Sequence, residues 1–240
     1  DRFKKSGKIY GNFGEVAIMI SNLCNYAMIH PQCPASMVKA KEIMPAKMVY
    51  KIIDELAARN YEGDICFHIY NEPTIDPRLF LFIQYAKEKI EKCIVRVYSN
   101  GYYLDQNLIE EFCDIGMGAL NTTGYGQAEF ERLIHLEVPV PYSVIYGHLD
   151  ERLDWYDDSS INSSSRKREC YTFLNQICIY SNGDIGLCCL DYKHSYNLGN
   201  VYKNTLQEIL DSENVIIFQK ELMEGKRTRY TLCRNCGWIR

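Results

Sequence analysis

Short apolar runs alternate with amphipathic segments between Val16 and about Tyr146. Each run is five to nine residues long and most are rich in β-branched or aromatic residues, which is typical of strands in parallel β/α units. The five predicted strands are Val16–Ser21, Asp64–Tyr70, Cys93–Ser99, Gly118–Thr122 and Val138–Tyr146. The carboxyl ends of such strands carry the ligand sites of α/β folds, so functional residues should follow each strand.

The segments between these strands have helical periodicity. In Pro45–Arg59, the apolar residues Val49, Ile52 and Leu56 recur at helical spacing, and Pro45 falls in the first turn, where its missing N–H costs nothing. Asp76 is available as the N-cap of the next helix. The predicted helices are Pro45–Arg59, Pro77–Lys92, Asp105–Cys113 and Gln127–Leu136. Strands joined by right-handed helical crossovers form an open sheet or a barrel.

The pattern of strand-like and helical segments changes after residue 150. Asp150–Glu169 is polar, rich in Ser and Asp and without periodicity, which indicates a linker or a long loop. Ile177–Asp191 then resembles a hairpin around the turn signal Asn182-Gly183, and Asn204–Gln219 has a helical pattern. The sequence thus predicts a β/α domain over 1–150, a linker over 151–169 and a small module over 170–240.

Composition narrows the function classes. The 240 residues are 47% hydrophobic and 24% charged, which is typical of a globular protein. The formal net charge is −4, so we do not expect a protein surface with the overall positive charge that binds nucleic acid. No apolar run reaches the ~18 residues that a membrane span needs, and the first residues lack a signal-peptide core, so we expect no membrane partner and a cytoplasmic location. Eleven cysteines in a reducing compartment indicate metal or iron–sulfur ligation before disulfides.

The stronger of two cysteine patterns is C-terminal. Cys170 is separated from Cys188 by a spacing of x12-Gly183-x4, and Cys233-x-x-Cys236 closes the chain. Four thiolates around one centre suit zinc or a [4Fe–4S] cluster. The alternative is a zinc knuckle that only holds the C-terminus. Cys189 is expected on the opposite side of a strand from Cys188.

The second pattern follows the first strand. Cys24, His30 and Cys33 share one ten-residue loop at a strand's carboxyl end, where a barrel keeps its active site. For His30 alone, a solvated loop residue is an equally good interpretation. The remaining isolated cysteines are most simply core residues: Cys66, Cys93, Cys113 and Cys178.

Together these motifs resemble those of the radical S-adenosylmethionine (SAM) enzymes that carry a SPASM or shortened twitch extension. The first strand leads into a loop that ends in Cys33-Pro34, and Asn71-Glu72-Pro73 and Ser99-Asn100-Gly101 follow the next two strands. These are similar to the family's cluster loop, its Gly-Glu-Pro motif and its Thr-Asn-Gly turn. The Cys170–Cys188 spacing, the "LGNV" phrase at 198–201 and the final Cys-x-x-Cys resemble the extension that ligates an auxiliary [4Fe–4S] cluster.

The resemblance implies a partial parallel (β/α)6 barrel followed by a small β-hairpin-plus-helix module for the auxiliary cluster. The family binds its first cluster through Cys-x3-Cys-x2-Cys, whereas this loop reads Cys24-x5-His30-x2-Cys33. His30 is then either an imidazole ligand in place of a thiolate, as occurs in Rieske centres, or a substitution. The sequence therefore leaves undecided which residue is the third protein ligand of the barrel cluster.

By the same resemblance, SAM binds one open iron and yields a 5′-deoxyadenosyl radical that takes a hydrogen atom from the substrate. Glu72 and the backbone around it, from Asn71 to Pro73, are then expected at the methionyl ammonium. Ser99 and Asn100 are expected at the ribose or carboxylate, and Thr122 is a further candidate. Without the family, the two motifs could be plain turns.

A fully cysteine-ligated auxiliary cluster has no open iron, so electron transfer is its natural role, and oxidation of the substrate is favoured. The resemblance implies an oxidoreductase acting on a small molecule (a sugar or aminocyclitol) or a peptide, with flavodoxin or ferredoxin as the external reductant. The alternative is a non-catalytic binding protein, stabilised by zinc or one cluster, with a degenerate barrel loop.

Overall fold

The computed structural model describes residues 13–30, 33–37, 40–147 and 169–236. Its centre is a seven-stranded sheet in the order β5-β4-β3-β2-β1-β6-β7, in which every pair is parallel except the last. The strands are β1 Glu15–Ile18, β2 Asp64–Phe67, β3 Ile94–Ser99, β4 Met117–Tyr125, β5 Tyr142–Gly147, β6 Gln176–Ile179 and β7 Ile185–Gly186. The predicted partial parallel barrel is confirmed.

The four predicted crossover helices are present with small shifts at their ends. The helices are α1 Ala46–Ala58, α2 Leu79–Lys89, α3 Gln106–Asp114, α4 Gln127–Ile134, α5 Thr172–Asn175, α6 Leu206–Leu210, α7 Glu213–Met223 and α8 Thr231–Asn235. Asp105 caps α3 by accepting a hydrogen bond from the Leu108 amide. Asp76 does not cap α2 directly. Its carboxylate binds the backbone and side chain of Arg78, the residue before that helix.

The sheet has two unlike faces because side chains alternate along each strand. Large apolar side chains such as Ile18, Phe67 and Val97 pack with the helices into the main core. The other, concave face carries the small residues Ala17 and Cys66 at its centre, together with Cys178. Small residues there leave room inside the partial barrel.

The C-terminal segment adds directly to this sheet. β6 pairs in parallel with β1, with Ala17 opposite Cys178, and β7 returns antiparallel to β6. The predicted hairpin is therefore confirmed, with its turn at Gly183, whose φ is +84°. The domain boundaries at 150 and 170 stay a prediction, and residues 151–168 of the predicted linker lie outside the described residues.

Two local predictions for this segment are wrong. Asn204–Gln219 is two helices, because Thr205 begins α6 with a capping box to Glu208 and the chain restarts at Ser212, the residue before α7. Cys188 and Cys189 lie in a turn after β7 rather than within a strand. Strand alternation therefore does not decide which of these two thiols faces the other cysteines.

The turn after β3 depends on glycine. Gly101 has φ of +78°, and a Cβ there would lie 2.6 Å from the side chain of Leu133. Gly126 has a similar φ of +95°, but a Cβ there would meet nothing within 4 Å. An alanine at Gly126 would therefore introduce backbone strain alone, whereas an alanine at Gly101 would also introduce a steric clash.

We expect Gly101→Ala to lower the free energy of unfolding by about 2–4 kcal/mol, since it adds overpacking to the strain of a positive φ. Gly126→Ala, with strain alone, should cost about 1 kcal/mol. Urea denaturation of both variants measures the difference. Equal losses would show that the Leu133 contact does not constrain this turn.

Candidate active site

A cavity opens on the concave face at the carboxyl ends of the first strands. It is lined by nearly all the barrel residues that the sequence singled out: Cys24, His30, Cys33, Asn71, Glu72, Ser99, Asn100 and Thr122. Pro73 is the exception. It is buried at the start of a 3-10 turn behind Glu72, whose side chain accepts a hydrogen bond from the Thr74 amide. Pro73 thus shapes the motif without lining the cavity.

Glu72 is the centre of this site. It is 1% exposed, and its Oε1 accepts hydrogen bonds from the Ser99 hydroxyl (2.9 Å) and from Thr74. Its Oε2 accepts one from the Asn100 amide at 2.6 Å. The Asn-Glu-Pro and Ser-Asn-Gly motifs are therefore joined through one carboxylate.

The electrostatics of Glu72 fit a cationic ligand. Burial raises the pKa of its carboxyl, and the hydrogen bonds from Thr74, Asn100 and Ser99 only partly oppose this. Within the described residues, no lysine or arginine forms an ion pair with it. Beside it, both amide atoms of Asn71 are buried without a protein partner in the described chain. The site thus offers a buried carboxylate and an unpaired amide to a polar ligand.

The loop after β1 brings its predicted ligands to the same cavity. His30 is 1% exposed and packs edge-on against Tyr125 with ring centroids 5.2 Å apart, whereas Met28 is 92% exposed. The Asn100 side chain donates to Asn25 at 2.7 Å and to the Cys24 sulfur at 3.9 Å. The interpretation of His30 as a solvated loop residue is wrong, since it is buried. Its role as a ligand stays a prediction.

The thiol of Cys24 is neutral when no metal is bound. Burial raises its pKa to about 11, and the nearby Glu72 and Cys33 act in the same direction. An iron–sulfur cluster binds thiolates, so its binding would release these protons. Two cysteines and one imidazole are a donor set that iron accepts, and the residues present fit such a cluster.

The four C-terminal cysteines also come together. Cys188 interacts electrostatically with Cys233 and Cys236, and Cys233 with Cys170. Burial raises the pKa of Cys233 to about 12, and the nearby Cys170 adds to the shift. Four such thiols fit one fully cysteine-ligated centre.

Arg227 lies beside these cysteines, and sequence reasoning missed it. It is 1% exposed, it lowers the pKa of Cys233, and it donates to the Cys236 carbonyl at 3.3 Å. Its Nε–H has no hydrogen-bond partner in the described chain. A buried guanidinium next to thiols suits a centre of net negative charge.

The cavity extends to residues that the sequence reasoning did not name. His68, Tyr98 and Asn121 also line it, from the concave face of β2, β3 and β4. The alternation Asp64, Cys66, His68 places polar side chains on one face of a strand and its continuation, and that signal could have indicated them.

Tyr70 connects the cavity to the C-terminal cysteines. Its ring lines the cavity, and its hydroxyl donates a hydrogen bond to the Cys189 carbonyl. Tyr180 stacks on Tyr70 with centroids 6.4 Å apart and donates to the Asp191 carbonyl at 3.0 Å. The turn that carries Cys188 is thus held against the cavity wall.

Known proteins share this architecture. Residues 170–237 match the SPASM family, described as an iron–sulfur cluster-binding domain. The S-adenosyl-L-methionine-dependent 2-deoxy-scyllo-inosamine dehydrogenase of Niallia circulans is 23% identical over 94% of this chain and 93% of its own length. No helix in the described part of the chain is long and apolar enough to span a membrane.

Solved structures agree with this match. BtrN in complex with AdoMet and 2-DOIA is 21% identical, with a TM-score of 0.75 over 95% of this chain and 94% of that one. The structure of anSMEcpe with bound AdoMet is 13% identical, with a TM-score of 0.64 over 92% of this chain and 88% of that one. The chain therefore shares the fold of these SAM-binding structures over nearly its whole length, and its residues 170–237 match the SPASM iron–sulfur cluster-binding domain family.

Proposed function

We propose that this protein is a radical SAM oxidoreductase that oxidises a secondary alcohol of an aminocyclitol or related sugar to a ketone. The observation that carries the proposal is the cavity itself, in which the buried Glu72 carboxylate, the Cys24–Cys33 loop and a polar barrel interior meet. When bound, SAM supplies a 5′-deoxyadenosyl radical that accepts a hydrogen atom from the substrate. The chain's residues hold and orient the reactants.

The geometry supports the proposed SAM-binding roles. Glu72 accepts the methionyl ammonium, because a buried carboxylate without a cationic partner gains most from one. Asn71 and Asn100 offer amide groups to the carboxylate or ribose at the same strand ends. Thr122 lines the far wall and already binds Tyr142 and the Ser143 carbonyl. Its hydroxyl thus holds the cavity wall in place and does not contact the methionyl group of SAM.

The C-terminal cysteines support oxidation over isomerisation. A centre with four cysteine ligands has no open iron, so it accepts an electron rather than binding a substrate. Tyr70 and Tyr180 hold the Cys188 turn against the cavity, so a cluster at these cysteines would lie near a substrate in the cavity. An external one-electron reductant, such as flavodoxin or ferredoxin, would supply electrons to the barrel cluster.

The concave face suits a small polyhydroxylated substrate. Asn121 lines the cavity and accepts a hydrogen bond from Arg96 at 2.9 Å, and Arg96 in turn binds Asp64 through two nitrogens at 2.8 and 3.0 Å. Hydroxyl and amino groups are recognised by such networks. The Niallia circulans relative is named for an aminocyclitol, so 2-deoxy-scyllo-inosamine is the first substrate to test.

The decisive experiment incubates the anaerobically isolated protein with SAM, dithionite and 2-deoxy-scyllo-inosamine or a panel of aminocyclitols and sugars. We expect 5′-deoxyadenosine and a ketone in equal amounts, and about eight irons per chain for two [4Fe–4S] centres. Zinc in place of iron, with no 5′-deoxyadenosine, would instead support the metal-stabilised binding protein.

Glu72→Gln should weaken SAM binding 10- to 100-fold, because a hydrogen bond to a charged group contributes about 1.5–3 kcal/mol. Equilibrium binding of SAM to the reconstituted protein measures this, with thermal melting to check the fold. Glu111→Gln, on the exposed side of α3, is the matched control and should bind SAM normally. Wild-type affinity in Glu72→Gln would remove Glu72 from the SAM site.

Cys233→Ala and Cys236→Ala should each lose about four irons per chain and lower the melting temperature, since ligation energy is folding energy when the site is not preformed. SAM cleavage should persist while ketone formation is lost. Cys113→Ala, a half-buried thiol on α3, controls for loss of a cysteine elsewhere. Full iron and unchanged melting in the ligand variants would contradict the C-terminal centre.

His30→Ala should lose the iron of the barrel cluster and abolish SAM cleavage if imidazole is the third ligand. His30→Cys should bind the cluster at a lower reduction potential, because thiolate ligation lowers it. Iron analysis and redox titration followed by electron paramagnetic resonance measure both, with His135→Ala on the surface as control. An iron-replete, fully active His30→Ala would mean that the third ligand lies elsewhere.

A further inference from the structure

Glu15, Cys66 and His68 form a compact group on the concave face of the sheet. One ligand atom of each lies within 4.8 Å of the others. The His68 Nε2 is 3.1 Å from the Glu15 Oε1, which also accepts a hydrogen bond from the Gln176 side chain at 2.6 Å. The group is thus a carboxylate–imidazole pair with a buried thiol beside it.

The carboxylate is ionised. Burial works to raise the pKa of the Glu15 carboxyl, but the hydrogen bond and charge of His68 and the Gln176 amide outweigh it and lower the pKa. An ionised carboxylate only accepts hydrogen bonds, so the His68 Nε2 must carry the hydrogen. When the ring is neutral, this hydrogen bond leaves its lone pair on Nδ1.

His68 is held in place and faces the cavity. Its ring stacks on Tyr98 with centroids 4.1 Å apart, and both residues line the cavity with Cys24 and Glu72. Within the described chain, Nδ1 has no protein hydrogen-bond partner. The next residue, Ile69, has φ of +133°, which a β-branched residue adopts only under strain.

We propose that the His68 Nδ1 accepts the hydroxyl proton of the substrate during its oxidation, and that Glu15 positions the ring for this step. The inference rests on the proposed function. Oxidation of R2CH–OH to R2C=O breaks a C–H and an O–H bond. The hydrogen atom goes to the 5′-deoxyadenosyl radical, the proton to His68, and the remaining electron to the auxiliary [4Fe–4S] cluster.

The same three residues contain donor types that bind metals, but their hydrogen bonds favour the proton acceptor. The His68 Nε2 is hydrogen-bonded to the Glu15 Oε1. Cys66 is buried, and burial raises the pKa of its thiol well above the ordinary value. A metal bound here would therefore have to displace both the Glu15–His68 bond and a thiol proton.

The first test compares His68→Gln with the wild-type protein in the assay with SAM and 2-deoxy-scyllo-inosamine. Ketone formation should fall 10²- to 10⁴-fold, the usual contribution of general base catalysis. The ratio of 5′-deoxyadenosine to ketone should rise, because hydrogen-atom abstraction does not need the base. His135→Gln, an exposed histidine at the end of α4, should leave both unchanged.

A second readout needs no turnover. Nitrogen-15 spectra of the histidine rings in the wild-type holoprotein, with its clusters oxidised, should show one ring as the Nε2–H tautomer, and that signal should be missing from His68→Gln. Glu15→Gln should weaken this tautomer preference. An Nδ1–H tautomer at His68, or a metal ion retained by Glu15, Cys66 and His68, would overturn the proposal.

The two proposals fail in different ways. If the wild-type protein binds no cluster and cleaves no SAM, the proposed function fails. If it forms ketone and His68→Gln forms it at the same rate and ratio, the oxidoreductase stands and the proton acceptor is another group. Imidazole added to His68→Ala should restore part of the ketone formation if the role of His68 is proton transfer.

Discussion

The buried Glu72 carboxylate is the constraint on which the arrangement of the site depends. Burying a carboxylate is costly unless its oxygens are hydrogen-bonded. Here the donors come from the turns after two different strands, because Thr74 follows β2 and Ser99 and Asn100 end β3. Satisfying one charge therefore fixes the relative positions of the two loops, and Asn100 extends the connection to the Cys24 loop.

The two faces of the sheet divide structure from chemistry. The outer face carries the large apolar residues that pack against α1, α2 and α3. The concave face has small residues at its centre and polar pairs such as Arg96–Asp64 around them. A polar interior of this kind orders the side chains that contact a substrate, because each hydrogen-bonded pair restricts the rotamers of the side chains next to it.

The sequence predicted the architecture well because strand and helix periodicities are local. The turn motifs at Glu72 and Ser99 each follow a strand, but their assignment to the site came from the family resemblance. The helix over 204–219 was wrong because its interruption is set by the capping of α6 and α7. The Glu15–His68 pair was missed because residues 53 positions apart meet only through strand pairing. Arg227 was missed because nothing in the sequence distinguishes a buried arginine from an exposed one.

The buried Arg227 bears on how the protein matures. A guanidinium at 1% exposure, with an Nε–H that has no partner in the described residues, is costly as long as the neighbouring thiols are neutral. Binding of an iron–sulfur centre by these cysteines would convert the thiols to thiolates and give the cation its counter-charge. In iron-starved cells the C-terminal segment should therefore be the first part to open and be degraded, so iron supply would set how much protein accumulates.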